Sequence, residues 1–537
     1  MATVEVSRRT MLYGMGALAG AVAVAGCSSS SGSTSSSSSS SSATPTTGLV
    51  FDPTTFTEKT TTITTDAGDK KVVYKFFGPI TYVTNPSDTE HQSLTISVPT
   101  SIDGTAVDAT DAPIVFANSV GGYMPASVAT ATGVGEASMQ MGGMGGAPAG
   151  GGAPPQAAGG EVRSGGNAML NAGGGMVSLA KLAVAAGYVA VDPGCRGRSL
   201  TDAKGTYYGV APAAIVDLKA AVRYLRSNKG RVPGNTDRIV STGTSAGGAL
   251  SALLGASGDS AAYDPYLTAV GAAKASDAVF ASGDWCPITD LEHADGAYEW
   301  NWGTNPSSTG APVDQTVSAQ LRQQFATYQA GLKLNGSNDF GQITADNYNR
   351  YLLETYLQPS ASRYLAALSA TDRAKYLAAN PFITYTDQKA TFSWADYLTH
   401  VGVRKKSTPA FDAFDLSAGE NNEFGLGTTK ARHFTDYSMS KDTTGLTTRR
   451  LDKDIPDALN LMNPMYHLGR GDTERAEHWW IRLGTKDSDT ALTVSANLAA
   501  AVSARGETVD HRMYWDAGHG ANEDAADFIT WVKKIAG

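Results

Sequence analysis

Cysteine is scarce in this sequence, with three among 537 residues. A scaffold held together by disulfides needs more, so the fold must depend on a packed hydrophobic core. Charge is sparse as well: charged residues make up 17% of the chain, and the net charge of −9 comes without any long basic run. Binding to nucleic acid requires clustered Lys and Arg against the phosphates, so we expect no nucleic acid partner.

The sequence also lacks a long apolar run. The stretch Met15–Ala25 is too short to cross a bilayer as a helix. It follows a twin-arginine pattern in Ser7–Leu12 and closes with Val24–Cys27, which resembles a bacterial lipobox. Residues 1–27 are therefore predicted to be an export signal that is cleaved before Cys27, which would carry a lipid. The alternative is an ordinary signal peptide in which Cys27 stands by chance.

Residues 28–48 are rich in Ser and Thr. A polar, low-complexity stretch cannot bury apolar area, so this segment is predicted to be an unfolded linker. With a lipid on Cys27, the linker would hold an exported, cell-surface lipoprotein on the outer face of the bacterial membrane. We expect no other contact with the membrane.

Beyond the linker, strand and helix patterns alternate. Short apolar runs such as Pro113–Ala117 and Tyr188–Asp192 are typical of strands that are buried on both faces of a sheet. Segments with helical spacing, such as Ala213–Arg226, lie between them. The Thr-rich and Val-rich segment Thr60–Val98 precedes them and favours antiparallel strands. The pattern predicts the α/β class, with a mostly parallel sheet and helices on both faces.

The alternation is interrupted twice. A stretch rich in Gly and Met at residues 130–167 is predicted to be a disordered loop within a first core part, 49–285. From residue 286 to 467 the sequence is long, aromatic and inclined to helix, and the strand pattern returns only at Trp479–Leu483. We therefore predict a large, mainly helical lid insertion at 286–467, followed by a second core part at 468–537.

A candidate nucleophile stands where a predicted strand meets a predicted helix. Gly243–Gly248 has the pattern G-x-S-x-G, with Ser245 at its centre. In an α/β-hydrolase this sharp turn needs small neighbours, so that the Ser hydroxyl projects over the edge of the sheet. The alternative is a Gly-rich tight turn without function. The surrounding strand and helix favour the nucleophile, and therefore the α/β-hydrolase fold.

A Ser hydroxyl needs a base, and in this fold the acid and then the His follow the Ser along the chain. His519 fits that order, because it lies between the last predicted strand and the last predicted helix. The acid should leave the end of the preceding strand, where Asp487 and Asp489 are both candidates. We predict Asp487, which is closer to the strand. Asp489 suits the N-cap of the following helix.

The tetrahedral intermediate of ester hydrolysis carries an oxyanion that needs two donors. The backbone N–H of Ala246 should be one, and the second should come from the Gly-Gly-Tyr turn after Pro113–Ala117, at Gly122. Glycine permits a close approach of the backbone. A His usually precedes such glycines and is missing here.

Six motifs together resemble those of the bacterial subtype B tannases. They recur in order between about Phe116 and the C-terminus, and they are Gly194–Arg198, Gly243–Gly248, Cys286–Asp290, Ala297–Trp300, Pro409–Asp412 and Gly484–Thr490. Tannases of this group hydrolyse esters of gallic acid. The resemblance implies a helical lid inserted late in the hydrolase sheet, and it implies a catalytic triad of Ser245, Asp487 and His519.

The resemblance also implies a set of substrate-binding residues. The family holds the galloyl hydroxyls with a Lys, a Glu and a second Asp, and the matching positions are Lys406, Glu420 and Asp489. Buried charged partners would be left unpaired by a ring that lacks hydroxyls, so such a set would select phenolic rings. The alternative is that Lys406 and Glu420 are surface residues of a polar loop.

These observations predict a serine hydrolase that cleaves galloyl esters through an acyl-enzyme on Ser245, without a metal or an organic cofactor. A feruloyl or other aryl carboxylesterase would use the same triad. A non-catalytic surface lipoprotein that binds phenolics is the alternative from another class. The sequence does not determine the oligomeric state, or whether Cys195 and Cys286 are bonded to each other.

Overall fold

The computed structural model describes residues 48–139, 169–171 and 175–537. The predicted signal and lipidation site at 1–27, all but the last residue of the linker, and the greater part of the Gly/Met-rich loop lie outside the described residues. Among the described helices, none is both long enough and apolar enough to span a bilayer.

The secondary structure of the described residues alternates as the sequence predicts. The strands are β1 (Thr57–Thr65), β2 (Gly68–Thr81), β3 (Ser93–Ile102), β4 (Thr105–Ala106), β5 (Pro113–Ala117), β6 (Ala126–Ser127), β7 (Ser138–Met139), β8 (Met169–Leu170), β9 (Met176–Val177), β10 (Val189–Pro193), β11 (Asn235–Thr244), β12 (Ala281–Trp285), β13 (Asn335–Gly336), β14 (Gly341–Gln342), β15 (Thr384–Thr386), β16 (Lys389–Thr391), β17 (His478–Gly484) and β18 (Thr508–Tyr514). The α-helices are α1 (Leu179–Ala185), α2 (Ala213–Ser227), α3 (Ala246–Ala256), α4 (Asp264–Ala269), α5 (Leu291–Trp302), α6 (Gln315–Leu332), α7 (Tyr348–Leu352), α8 (Gln358–Ala367), α9 (Ala370–Ala379), α10 (Trp394–Val401), α11 (Gly419–Glu423), α12 (Asp436–Ser440), α13 (Ile455–Leu461), α14 (Pro464–Gly469), α15 (Leu492–Ser503) and α16 (Ala525–Ala536). A 3₁₀ turn occurs at Ala261–Tyr263 and a π-helical turn at Leu353–Leu357.

One large sheet forms the centre of the fold. Its strand order is β1-β2-β3-β10-β5-β11-β12-β17-β18, with β4 paired to β3. The strands from β10 to β18 in this order are parallel, whereas β1, β2 and β3 pair antiparallel and β10 joins β3 antiparallel. Since helices connect the parallel strands, the predicted α/β-hydrolase fold and its leading antiparallel strands are confirmed.

The core depends on apolar strands and on helices rich in small residues. Ile114–Ala117 in β5 is fully buried, as predicted for a strand covered on both faces. Every residue of α3 is buried, and this helix packs against β11 and β12. The Ala and Gly residues of α3 let its backbone approach the sheet closely, and this sets the position of the turn that precedes the helix.

Strand β12 differs from its prediction. The apolar run Ala278–Ala281 predicts the strand, yet the paired residues are Ala281–Trp285. The strand extends through Ser282 and Asp284, whose side chains bond to each other at 2.7 Å between Ser282 Oγ and Asp284 Oδ1. Burial raises the pKa of Asp284 to about 8, so this carboxyl is neutral in the core near pH 7. A hydrophobicity pattern cannot detect a strand that buries polar groups in pairs.

The first residues of the predicted disordered loop belong to the fold. Residues 130–139 are described, and within them Val134 and Ala137 belong to the core. The N–H of Gly135 donates to Asp192 Oδ2 at 3.1 Å, at the end of β10. A Gly-rich stretch therefore continues the fold where its backbone finds buried acceptors.

A long segment between β12 and β17 carries helices α5–α14 and two short hairpins, and it is mainly helical as predicted. Its aromatic residues are packed rather than exposed. Tyr348, for example, is fully buried and its hydroxyl donates to Asn497 Oδ1 at 2.7 Å, which joins α7 to α15 of the core. Contacts of this kind fix the segment to the edge of the sheet at which β12 and β17 end.

Candidate active site

Ser245 lies on a sharp turn between β11 and α3. Its φ of 60° and ψ of −121° are in a region that non-glycine residues rarely adopt. Two hydrogen bonds hold the turn: Ser245 N–H donates to Trp285 O at 2.9 Å, and Gly247 N–H donates to Val120 O at 3.0 Å. The turn is therefore braced from the ends of both neighbouring strands, β12 and β5. This is the geometry expected of a nucleophile elbow.

The glycines of the motif are required by close contacts. A Cβ on Gly243 would lie 2.0 Å from Gly247 O, and a Cβ on Gly247 would lie 2.5 Å from Asn118 Oδ1. One on Gly248 would lie 2.5 Å from Trp285 O. Backbone atoms cannot move aside as the tip of a side chain can. The pattern G-x-S-x-G-G is thus dictated by packing around Ser245.

Asn118 is a supporting residue that the sequence analysis missed. Its side chain is buried, and Nδ2 donates to Thr242 O at 2.9 Å and to Gly247 O at 3.0 Å. It follows β5 directly, so it joins the loop after β5 to both sides of the Ser245 turn. An Asn after a buried strand is too common a feature to identify this role from sequence.

The two predicted oxyanion donors flank this region. Ala246 begins α3, and Gly122 lies in the turn after β5 with a φ of 55°. The N–H groups of Ala246 and Gly122 donate to no other described residue, which leaves both available to a ligand. Arg198 Nε donates to Gly122 O at 2.6 Å and fixes the orientation of that peptide.

Asp487 and His519 are in contact. His519 Nδ1 lies 2.8 Å from Asp487 Oδ2 and 3.0 Å from Oδ1. The carboxylate is buried and also accepts from the N–H groups of Asp489 and Thr490, at 2.9 and 2.8 Å. Of the two acid candidates, Asp487 is thus the one that the structure places against His519. Asp489 Oδ2 is instead 2.7 Å from Lys405 Nζ.

The loops that carry these two residues hold each other. They follow the parallel strands β17 and β18, and Lys486 N–H donates to Ala517 O at 2.9 Å. A Cβ on Gly484 would lie 2.2 Å from Ala517 O, so only glycine lets the loops meet. The parallel order of the sheet therefore brings residues 487 and 519 to one edge.

The other ring nitrogen of His519 faces the Ser245 region. Nε2 lies 4.0 Å from Cys286 Sγ, and a Cβ on the next residue, Gly520, would lie 3.9 Å from Thr244 Cγ2. Within the described ranges, no hydrogen bond joins Ser245 Oγ to His519. Catalytic hydrogen bonds are often long without substrate and shorten when it binds.

Electrostatics raise the proton affinity of the imidazole here. Burial lowers the pKa of His519, but the Asp487 carboxylate and, after it, the neighbouring Cys286 outweigh this effect and hold that pKa well above its ordinary value. A His in this state takes up a proton readily. It therefore has the property required of a general base that becomes an imidazolium during reaction.

Lys406, Glu420 and Asp489 lie in the same electrostatic neighbourhood. Lys406 Nζ is 3.8 Å from Glu420 Oε1 and 4.0 Å from the centre of the Phe411 ring. Burial raises the pKa of Asp489, but the charges of His519, Lys406 and Lys405 together hold it below its ordinary value. The side chains of Lys406 and Glu420 are 17% and 14% exposed, so neither is a free surface charge.

A buried ion pair positions Lys406. The side chains of Arg404 and Glu299 are both fully buried, with Arg404 Nη1 2.9 Å from Glu299 Oε2. Arg404 Nε donates to Lys406 O at 2.9 Å. The Tyr298 hydroxyl accepts from Lys406 N–H at 3.2 Å and donates to Ser488 O at 2.9 Å. Tyr298 and Glu299 thus connect the Lys406 loop to the loop that carries Asp487.

The sequence left open whether Cys195 and Cys286 are bonded to each other. In the structure both are free and buried.

Solved structures resemble this chain over nearly its whole length. A tannin acyl hydrolase in complex with 3,4-dihydroxybenzoate matches with 32% identity and a TM-score of 0.73, covering 91% of this chain and 99% of that chain. The tannase of Fusobacterium nucleatum matches with 32% identity, a TM-score of 0.72 and the same coverage. A tannase from Lactobacillus plantarum matches with 30% identity and a TM-score of 0.72, covering 91% of this chain and all of that one. The BD-FAE family model matches residues 174–331. A comparison with curated proteins finds no match.

The sheet, the turn at Ser245 and these relatives define a carboxylic ester hydrolase with an α/β-hydrolase fold. The structural likeness covers 91% of the chain, and about a third of the aligned residues are identical. The chain belongs to the tannase family.

Proposed function

We propose that this enzyme hydrolyses galloyl and related phenolic esters through an acyl-enzyme on Ser245, and that it is a tannase of subtype B. The observation that carries the proposal is the contact between Asp487 and His519, on a loop that packs beside the strained turn at Ser245. A base oriented by a buried carboxylate beside a partly buried Ser is the arrangement that acyl transfer requires.

In the proposed reaction, His519 Nε2 takes the proton of Ser245 Oγ while this oxygen attacks the ester carbonyl carbon. The oxyanion formed accepts hydrogen bonds from the N–H groups of Ala246 and Gly122. The imidazolium, stabilised by Asp487, then protonates the leaving alcohol. A water molecule repeats the sequence on the acyl-enzyme and releases the acid.

The acid part of the substrate would lie against Lys406, Glu420 and Asp489. Phenolic hydroxyls both donate and accept, so a Lys and two carboxylates can satisfy them in one plane. Two relatives support this choice, since tannin acyl hydrolase structures are described in complex with 3,4-dihydroxybenzoate and with ethyl gallate. A ring without hydroxyls would displace water from these charged groups without offering hydrogen bonds in return, and would be rejected.

We also propose that the protein is exported and anchored through a lipid on Cys27. The twin-arginine pattern and the lipobox-like Val24–Cys27 support this proposal. Replacing Cys27 with Ser should release the protein from the membrane fraction without changing its hydrolytic rate constant.

The catalytic proposal is tested with Ser245→Ala on methyl gallate. We expect turnover to be abolished, and labelling of the protein by a fluorophosphonate probe to be lost with it. Persistent turnover would refute the role of Ser245. A wild-type protein that neither labels nor turns over any phenolic ester would indicate a binding protein instead.

Substrate choice is tested by comparing methyl gallate with methyl ferulate for the wild type and for Glu420→Ala. We expect Glu420→Ala to lose the preference for gallate, because the ring hydroxyls lose an acceptor. A wild type that prefers ferulate would favour the feruloyl esterase alternative. Lys333→Ala serves as a control on a Lys outside this set, and should leave the preference unchanged.

A further inference from the structure

Cys286 contacts the imidazole that the proposed reaction uses. It follows β12 directly, is 2% exposed, and its Sγ lies 4.0 Å from His519 Nε2. Its backbone is held on both sides, because Cys286 N–H donates to Arg482 O at 2.7 Å and Cys286 O accepts from Thr490 Oγ1 at 3.2 Å. The backbone of Cys286 is therefore fixed with its thiol beside Nε2 of the proposed base, and acyl transfer by Ser245 gives the thiol no task.

These groups have the chemistry of a metal site. A thiolate and an imidazole nitrogen are the ligands that Zn²⁺ prefers, at about 2.3 Å and about 2.0 Å. Tetrahedral geometry with those bond lengths places the sulfur and the nitrogen roughly 3.5 Å apart. The observed separation of 4.0 Å is thus about 0.5 Å wider than a bound Zn²⁺ requires. A small rotation of either side chain would close it.

Asp487 supports His519 from the opposite side of the imidazole ring. Potential ligand atoms of Cys286, Asp487 and His519 all lie within 4.8 Å of one another. Asp487, however, bonds to Nδ1, on the far side of the ring from Cys286. It would therefore act as the carboxylate that orients a metal-bound His, and not as a ligand. The two ligands from the chain leave the remaining positions to water or to the substrate.

We propose that Cys286 Sγ and His519 Nε2 form an inhibitory site for Zn²⁺ or a similar thiophilic divalent cation. On binding, the Cys286 thiol releases its proton to solvent and the thiolate bonds to the metal. The lone pair of His519 Nε2 forms the second bond and is no longer available to take the proton of Ser245. The expected inhibition rests on the proposed function, because the metal would regulate that same site. The binding of the metal does not depend on it.

Binding is measured by isothermal titration calorimetry of the full chain with Zn²⁺ alone. We expect Cys286→Ser and His519→Ala each to lower the affinity for Zn²⁺ by at least about tenfold. This is the lower end of the loss that follows when residues supporting a metal site are replaced. Cys195→Ser is the matched control, because Cys195 is also buried and free but bonds only through its backbone to Ala126. It should bind Zn²⁺ as the wild type does. Absorption from a sulfur-to-metal transition with Cd²⁺ should disappear in Cys286→Ser.

Inhibition is measured as the Zn²⁺ concentration that halves methyl gallate hydrolysis, relative to each variant's own rate without metal. This concentration should rise at least about tenfold in Cys286→Ser and stay unchanged in Cys195→Ser. Equal Zn²⁺ affinity in wild type and Cys286→Ser would overturn the proposal. Turnover by Ser245→Ala would overturn the proposed function instead, and the calorimetric result would still decide the metal site.

Discussion

Replacing Glu299 with Gln should destabilise the enzyme and loosen its substrate pocket together. Glu299 pairs with Arg404 where both side chains are 0% exposed. Arg404 also donates to the backbone oxygens of Lys406 and Ser407, each at 2.9 Å. The ion pair therefore supports the chain at Lys406, which we propose to contact the galloyl ring, and at the residue after it.

The magnitude follows from the burial of the pair. Neutralising one partner of a buried ion pair leaves the other charge uncompensated, which costs about 3–5 kcal/mol. Gln keeps the volume and one acceptor oxygen, so we expect the lower end, about 3 kcal/mol. The pocket should respond as well, because Lys406 loses part of its backbone support. We therefore expect KM for methyl gallate to rise more than kcat falls.

The assay is urea unfolding followed by Trp fluorescence, together with steady-state kinetics. Glu354→Gln is the matched control, because Glu354 pairs with Arg350 on the surface, where the side chains are 51% and 57% exposed. An exposed pair of this kind contributes about 0.3–0.5 kcal/mol, so the control should unfold almost as the wild type does. A Glu299→Gln variant as stable as Glu354→Gln would refute the reasoning, since an uncompensated Arg404 charge in the core would then carry no penalty.

Three further predictions concern the site. Asp487→Asn should lower kcat/KM for methyl gallate by about 10⁴-fold, because the imidazole loses its orienting carboxylate. The pKa of His519 is raised in the wild type, and only the neutral imidazole can act as a base. We therefore expect kcat/KM to fall as the pH drops through a value above the ordinary pKa of His. In Asp487→Asn this fall should occur at a lower pH. Gly247→Ala should abolish fluorophosphonate labelling through its clash with Asn118, whereas Gly331→Ala, in the open part of a helix, should leave labelling unchanged.

The sequence alone was sufficient to predict those parts of the candidate site that depend on local patterns. The turn at Ser245 needs glycines at fixed spacing, because a side chain at any of them would clash with the backbone or with Asn118. Such spacing can be recognised in the sequence alone. The position of Asp487 followed from the order of strands in the fold. A parallel sheet places the ends of β17 and β18 side by side, so the contact between residues 487 and 519 could be anticipated.

The remaining parts of the site depend on contacts between distant segments. Arg404 and Glu299 are 105 positions apart, and no local pattern shows that they pair. Cys286 meets His519 across 233 positions. Strand β12 was misplaced because its polar residues are buried in the core, where Ser282 bonds to Asp284. Each of these features arises from pairing that only the folded chain brings about.

The insertion between β12 and β17 also holds the loop that carries His519, the proposed base. Asp516, three residues before His519, lies 2.5 Å from His400 Nε2 of α10 and accepts a hydrogen bond from the Tyr376 hydroxyl of α9. The His400 ring also stacks on Trp515. Helices α9 and α10 of the insertion therefore contact the loop that carries His519 and hold it in place. Since the same insertion supplies Lys406 and Glu420, movement of these helices would displace the base and the proposed ring contacts together. Substrate binding and acyl transfer are for this reason expected to be coupled.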